Sequence, residues 1–168
     1  MHFDIALRDL SSTDAPRLQE LANNKKVWLQ LRDRFPHPYS IEDAEWFINY
    51  AQTNDQEMIK AIISNNELCG VIGAISLDDV YAGVGEVGYW LGEPHWSQGI
   101  GTKALQLFID LCQSGRLYSR LEAGVYSNNL ASMKLLEKCG FHKEGIRTAR
   151  ITKNEKVLDE HCYGLILS

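Results

Sequence analysis

Apolar positions along the chain change period several times. Phe3-Asp4-Ile5-Ala6-Leu7-Arg8 alternates and predicts an opening strand. Ser11-Ser12-Thr13-Asp14-Ala15-Pro16 sets cap residues ahead of a proline, which signals a helix start, and Leu18, Leu21 and Ala22 follow at helical spacing. Val27, Trp28 and Leu31 predict a short second helical piece. Phe35-Pro36-His37-Pro38-Tyr39 is read as extended, because a proline disfavours the helical region for the residue before it. Ser40 caps a helix over Ile41 to Gln52, with Glu42 and Asp43 at its positive end and Ala44, Phe47, Ile48 and Ala51 on its buried face.

The middle of the chain moves to a strand period. Met58 to Ile63 and Leu68 to Leu77 flank the turn Asn65-Asn66-Glu67 and predict an antiparallel hairpin. Asp78 to Gly85 is a loop, and Glu86-Val87-Gly88-Tyr89-Trp90-Leu91 is a further strand in which Gly88 suggests a bulge or a close backbone approach. The loop Gly92 to Gly99 leads into a helix over Gly101 to Cys112, followed by a short strand over Leu121 to Val125. Asn129 to Lys138 is a helix on which Ala131, Leu135 and Leu136 pack, with Gly140 in the left-handed cap position. Thr148 to Thr152 and Glu160 to Leu167 predict a closing hairpin with Asn154-Glu155 near its turn. With no internal repeat, linker or low-complexity run, the pattern gives one mixed α/β domain over residues 1–168.

Composition narrows the class of function. At 168 residues, 45% hydrophobic and 23% charged, the chain is long enough to form its own core without a structural metal or disulfide. Its net charge of −5 argues against a dedicated nucleic-acid binder and is compatible with an amine partner. No run approaches the roughly 18 apolar residues of a membrane span, and the first residues carry no basic-then-apolar secretory pattern. Cys69, Cys112, Cys139 and Cys162 lie in apolar surroundings without C-x-x-C spacing, so free thiols in the reducing cytoplasm are expected. Scattered histidines give no metal-ligand spacing, and no metal is expected.

Two stretches carry candidate chemistry. Trp96-Ser97-Gln98-Gly99-Ile100-Gly101-Thr102 combines glycines with a helix start, where unpaired N–H groups and the helix dipole form a cradle for phosphate oxygens. A P-loop is excluded because no Gly-Lys-Ser/Thr occurs. Gly99 to Ala104 satisfies a loose dinucleotide pattern with Glu122 about twenty residues on, yet the preceding strand ends near Leu91, well short of the first glycine. The second stretch is Asn129 to Phe141, a capped helix with Ser132 three residues after its cap.

These stretches resemble a known family. Trp96 to Gly101 is similar to the acyl-CoA pyrophosphate loop of the GNAT N-acetyltransferase superfamily, Q/R-x-x-G-x-G/A, and Asn129 to Phe141 to its following motif, N-x-x-S/A…E-K-x-G-F. Arg32 to Tyr39 with Ala44, and Glu86 to Trp90, resemble the ribosomal-protein N-terminal acetyltransferase branch, the RimJ/RimL-like proteins. The likeness covers nearly the whole chain in order. It implies a mixed, mostly antiparallel twisted sheet, splayed at its centre and flanked by helices on both faces. It also implies acetyl-CoA as cosubstrate, bound by Leu91, Gly92, Trp96, Ser97, Gln98, Gly99, Ile100, Gly101, Thr102, Asn129 and Ser132.

The implied reaction is transfer of an acetyl group to a primary amine by direct attack. The acceptor is expected to be a protein or peptide N-terminal α-amine, with a small amine such as an amino acid, polyamine or antibiotic as the alternative; a non-catalytic acyl-CoA-binding module is a further reading. Leu136 stands where other members place a tyrosine acid, so Ser132 is assigned to return a proton to the CoA sulfur and Glu86 to act as base. Asp159, Glu160 and His161 are further candidates on a tail strand that borders the family's substrate cleft. A monomer or homodimer is expected.

Overall fold

One sheet of seven strands organises the chain in a computed structural model that describes residues 4–168. In chain order the elements are β1 (Ile5–Arg8), α1 (Ala15–Ala22), α2 (Lys25–Trp28), α3 (Ile41–Thr53), β2 (Glu57–Ser64) and β3 (Glu67–Ser76). They continue with β4 (Val84–Leu91), α4 (Ile100–Ser114), β5 (Arg120–Tyr126), α5 (Leu130–Lys138), β6 (His142–Lys153) and β7 (Lys156–Ile166). The sheet order is β1-β2-β3-β4-β5-β7-β6, antiparallel except where β4 meets β5. Phe3, read as part of the first strand, lies outside the described residues.

Two cores form, one on each face. Ile62, Cys69, Ile72 and Val87 pack with Phe108, Leu105 and Cys112 of α4 and Met133 and Leu136 of α5. On the other face Ile59, Ala61, Ile63 and Val71 meet Leu18, Leu21 and Ala22 of α1 and Ala44 and Ile48 of α3. Strands β2 and β3 alternate between the two, which is why their sequences read as almost continuous apolar runs. Ser40 caps α3 by accepting from the Asp43 N–H at 3.1 Å, while the Asp43 carboxylate accepts from the Ser40 N–H at 2.8 Å. Ser11 and Asp14 form the same box ahead of α1, and Arg8 grips Asp14 with two bonds of 2.8 Å.

Several elements differ from the sequence reading. The Phe35-to-Tyr39 segment is not extended. It turns back on itself through a cis His37–Pro38 bond, with Phe35 against Tyr39 and Trp90 and with His37 stacked on Trp28. Gly88 makes no bulge: the β3–β4 register passes unbroken through Gly73↔Gly88. The bulges lie at Ile62/Ile63, Lys143/Gly145 and Arg147/Ile151. The closing hairpin is much longer than expected, because β6 is exposed on both faces over most of its length and carries no apolar alternation. Its turn is Asn154-Glu155, both with positive φ, as in the Asn65-Asn66 turn joining β2 and β3. Of the four free thiols, Cys69, Cys112 and Cys139 are buried and Cys162 is half-buried.

Glycines 70 and 88 separate packing from open space. A Cβ on Gly70 would lie 2.1 Å from the Trp90 carbonyl oxygen and 2.9 Å from the Leu91 Cα, both backbone, whereas one on Gly88 meets nothing within 4 Å. Gly70→Ala is expected to lower unfolding free energy by about 1–3 kcal/mol and Gly88→Ala to change it by less than about 0.5 kcal/mol, as read from urea unfolding. Arg8 holds the Asp14 carboxyl below its ordinary value of 3.8 by hydrogen bonding. A depressed carboxyl stabilises the fold above its unfolded value and loses that contribution as pH falls through the folded value. Asp14→Asn is therefore expected to be less stable than the parent at pH 7, with the difference shrinking as pH falls from 3.8 through the lower folded value in urea titrations repeated across acid pH.

Candidate active site

Strands β4 and β5 pair in parallel over only three steps, Val84↔Arg120, Gly85↔Leu121 and Glu86↔Glu122, and then part. The Gly92 N–H donates to the Cys69 carbonyl at 2.8 Å, on the β3 side. Since N–H groups alternate sides along a strand, those of Tyr89 and Leu91 face the gap. Gly92, expected as a donor to the pantetheine arm, is thus spent on β3, and a Cβ there would strike Leu21. Leu91 keeps its N–H on the gap side. Its carbonyl accepts from the Trp96 indole N–H at 2.8 Å, which folds the following loop back on the strand end.

That loop delivers the start of α4. Ser97 and Gly99 have φ of 59° and 78°, and Ser97, Gln98 and Gly99 are exposed. A Cβ on Gly99 would meet nothing within 4 Å. Gln98 braces the loop by donating from Nε2 to the Pro94 carbonyl at 2.8 Å. The first bond into the helix runs from the Lys103 N–H to the Gly99 carbonyl at 3.2 Å, so the amides of Ile100, Gly101 and Thr102 precede the helical ladder. Gly101 plays a different part from Gly99. It is buried, and a Cβ there would lie 2.7 Å from Leu135 Cδ1 and 3.5 Å from Leu91 Cδ1, so its lack of a side chain lets α4 approach α5.

Helix α5 closes the gap from the side of the first core. Asn129 caps it, its Oδ1 accepting from the Ser132 N–H at 3.2 Å. Met133 and Leu136 are the buried positions, and Ala131, expected to pack, is exposed because it falls in the first turn on the outward side. Leu136 is fully buried. The Ser132 hydroxyl lies 2.7 Å from the Tyr89 hydroxyl, a link from α5 to the β4 edge of the gap. Burial pushes the Tyr89 phenol upward, so it keeps its proton at neutral pH. The sequence reading named Ser132 but, on Tyr89, only the backbone of its strand and not the hydroxyl. The available signal was a tyrosine on the inward face between Val87 and Leu91, where a phenol needs a partner.

On the opposite face the gap is bordered by two glycines, a strip termed the glycine groove. Two residues past the last paired step on each strand, Gly88 of β4 and Gly124 of β5 are both exposed. Glu86 stands at one end, ion-paired with Arg32. Glu160 lies across Gly124, where a Cβ would strike its carboxylate, and is held by Arg147 at 3.0 Å. Glu122 takes Arg120 at 3.4 Å. The remaining candidates on β7 separate by parity. Asp159 is structural, its Oδ1 accepting from the Ala149 N–H at 2.8 Å in the β6 bulge. His161 is on the same side of β7 as the core residue Tyr163, and its Nδ1 is buried without a partner. Only Glu160 of the three shares the face of Glu86.

The β6–β7 hairpin tip reaches the other half of the molecule. Lys153, with 3% of its side chain exposed, sets Nζ 2.7 Å from Asp33 Oδ1 and 3.7 Å from the centre of the Trp28 ring. Among the described residues no cluster of His, Cys, Asp and Glu side chains could hold a metal ion, and no helix is long and apolar enough to cross a membrane.

Residues 4–142 match the model of the acetyltransferase (GNAT) domain. Among curated relatives, the chain is 40% identical over 87 residues to a probable N-acetyltransferase, YjcK, of Bacillus subtilis, a match covering 50% of this chain and 48% of that protein. It is 31% identical over 170 residues to an uncharacterized N-acetyltransferase, YoaA, of the same organism, covering 96% of this chain and 93% of the relative. The first two curated relatives are matched over only 48% and 56% of their own length. Among solved structures, a RimL ribosomal-protein α-N-acetyltransferase in complex with coenzyme A superposes with a TM-score of 0.85 at 23% identity, covering 97% of this chain and 94% of that one. Spermidine N-acetyltransferase from Vibrio cholerae, in complex with CoA and spermine, superposes with a TM-score of 0.82 at 20% identity, covering 96% and 95%. These likenesses bear out the mixed α/β fold with its splayed sheet.

Gly99 tests the loop directly. Gly99→Val introduces a branched side chain at a φ of 78° in open space facing outward, at a backbone cost of roughly 1–2 kcal/mol. Coenzyme A affinity measured by calorimetry is expected to fall by tenfold or more relative to the parent, since affinity changes roughly tenfold per 1.4 kcal/mol.

Proposed function

Because the chain belongs to the acetyltransferase (GNAT) family, we propose that it transfers an acetyl group from acetyl-CoA to a primary amine, an N-terminal α-amine of a protein or peptide in particular. The observation that carries this reading is the parting of β4 and β5 beside the exposed helix start at Gly99. In this reading the amides of Gly99 to Thr102 hold the pyrophosphate, with Ser97 and Gln98 shaping the loop. Asn129 and the Leu91 N–H hold the pantetheine arm and the thioester carbonyl, the latter as the donor for charge that develops on oxygen. Acetyl-CoA supplies an acyl group on a sulfur leaving group. The amine enters from the glycine groove, opposite Ser132.

Glu86 takes the amine's proton, through water, once Arg32 swings aside; an exposed pair of this kind holds by at most about 1 kcal/mol. The demand on the base is modest. An α-amine has a pKa near about 7.7–8.0, so on the order of a tenth is neutral at pH 7, against less than about one in a thousand for a lysine amine near about 10.4. Ser132 donates to the departing sulfur. Free buried thiols agree with a cytoplasmic setting.

The alternative acceptor is a polyamine, favoured by three carboxylates on one face of the groove, Glu86, Glu122 and Glu160. Each already has an arginine partner, in Arg32, Arg120 and Arg147. A polycation would have to displace those pairs, and a single terminal ammonium need displace only one. This favours the α-amine.

The test is a thiol-release assay with acetyl-CoA against a panel of N-terminal peptides and free amines. Turnover on peptides is expected; turnover confined to free small amines overturns the α-amine assignment. Acetyl-CoA at 100-fold over its dissociation constant should stabilise the fold by about 2.7 kcal/mol. Binding with no turnover on any acceptor indicates a non-catalytic acyl-CoA module. Glu86→Gln is expected to lower kcat, with partial recovery as pH rises and more of the amine is neutral. A wild-type pH–rate profile in that variant removes Glu86 as the base.

A further inference from the structure

Tyr89 occupies a position that the reading above does not use. Its strand neighbours Val87 and Leu91 face the first core, and so does its ring, which packs there in part. Its hydroxyl, however, emerges at the edge where β4 has lost its partner strand and meets Ser132 Oγ at 2.7 Å. The phenol and the alcohol belong to different elements, β4 and α5, and their contact spans the gap. The Ser132 backbone N–H is taken by Asn129 at 3.2 Å, so the residue is held at its main chain and at its side chain from two directions.

We infer that Tyr89 is a positioning residue for the acetyl transfer, donating its phenolic proton to Ser132 Oγ so that the serine's own proton is directed at the thioester sulfur. The inference rests on the function proposed above. A serine hydroxyl has one proton and rotates freely when nothing fixes it. A buried tyrosine that keeps its proton at neutral pH can fill the serine's acceptor side permanently, which leaves the serine free to donate. Leu136 sits fully buried where the family resemblance would set a tyrosine, so no phenol reaches the sulfur from α5. The hydroxyl comes instead from the strand, relayed by one residue.

In the step itself the amine nitrogen bonds to the carbonyl carbon and the carbon–sulfur bond breaks, its electron pair passing to sulfur. The nitrogen loses a proton towards Glu86 and solvent. The sulfur accepts the Ser132 hydrogen bond and leaves as thiolate, or takes a proton from solvent, since a thiol titrates near about 8.5. Tyr89 neither gains nor loses a proton overall. Its effect is on the orientation of the donor, and orientation of a donor at developing charge acts on the transition state rather than on binding.

The experiment compares Tyr89→Phe, Ser132→Ala, Ser132→Thr and the double variant Tyr89→Phe/Ser132→Ala in steady-state thiol release, with coenzyme A affinity by calorimetry and a thermal melt for each. Tyr89→Phe removes one oxygen and leaves the ring in its packing. It is expected to lower kcat by about tenfold with KM for acetyl-CoA and coenzyme A affinity within about twofold. Ser132→Thr, which keeps a hydroxyl, is expected to retain more activity than Ser132→Ala. The double variant is expected to be no slower than Ser132→Ala alone, because Tyr89 acts only through the serine. An unchanged kcat in Tyr89→Phe overturns the inference, and so do losses that multiply in the double variant or appear in KM alone. If the wild-type chain neither binds acetyl-CoA nor turns over, the proposed function fails first, and the inference fails with it.

Discussion

The parting of two parallel strands after three paired steps is the constraint from which the rest of the molecule follows. A parallel pair that continued past Glu86 and Glu122 would satisfy its own backbone groups and leave nothing to offer a ligand. Once β4 turns away, the outward N–H groups of Tyr89 and Leu91 have no strand to meet. A helix on one side and a groove on the other then border the same wedge. The starts of both α4 and α5 come to its rim because each follows the strand that forms one wall. Unpaired main-chain donors thus collect at one place without any unusual residue being needed to put them there.

Glycine serves two purposes around this wedge, and the distinction matters for what each position tolerates. Gly99 is exposed with a positive φ and empty space around it, so its freedom serves whatever approaches from outside. Gly101, two residues on, is buried under Leu135, and Gly92 is pressed against Leu21, so these serve the protein's own packing. Gly88 and Gly124 form a third setting, a floor without side chains beneath the groove, with Glu160 lying over one of them. A spacing motif cannot separate these roles, because all of them appear in the chain as the same residue.

Much of the architecture was legible because it depends on local signals. The caps at Ser11, Ser40 and Asn129, the Asn-rich turn at 65–66 and the apolar runs of β2 and β3 all declare themselves within a few residues. The loop at Gly99 was legible for the same reason. What could not be read depends on distant partners. Strand β6 shows no alternation because neither of its faces is covered, and a bulge held by Asp159 breaks its period. The bent path of Phe35 to Tyr39 is fixed by Trp28 and Trp90, one from a helix and one from a strand far along the chain. Asp159, Glu160 and His161 are adjacent in sequence and part company only when the pleat assigns them to faces. The Tyr89–Ser132 bond joins positions 43 residues apart.

The Lys153 contact with Trp28 and Asp33 has a mechanical meaning. A sheet divided down its middle is two plates meeting along a short seam, and such plates would tend to gape. The lysine buckles the tip of one plate to the helical edging of the other, and it does so as a dehydrated cation on an aromatic ring, beyond the reach of most counter-ions. The two plates are therefore tied twice, along the short seam of β4 and β5 and again at the outer tip of the closing hairpin.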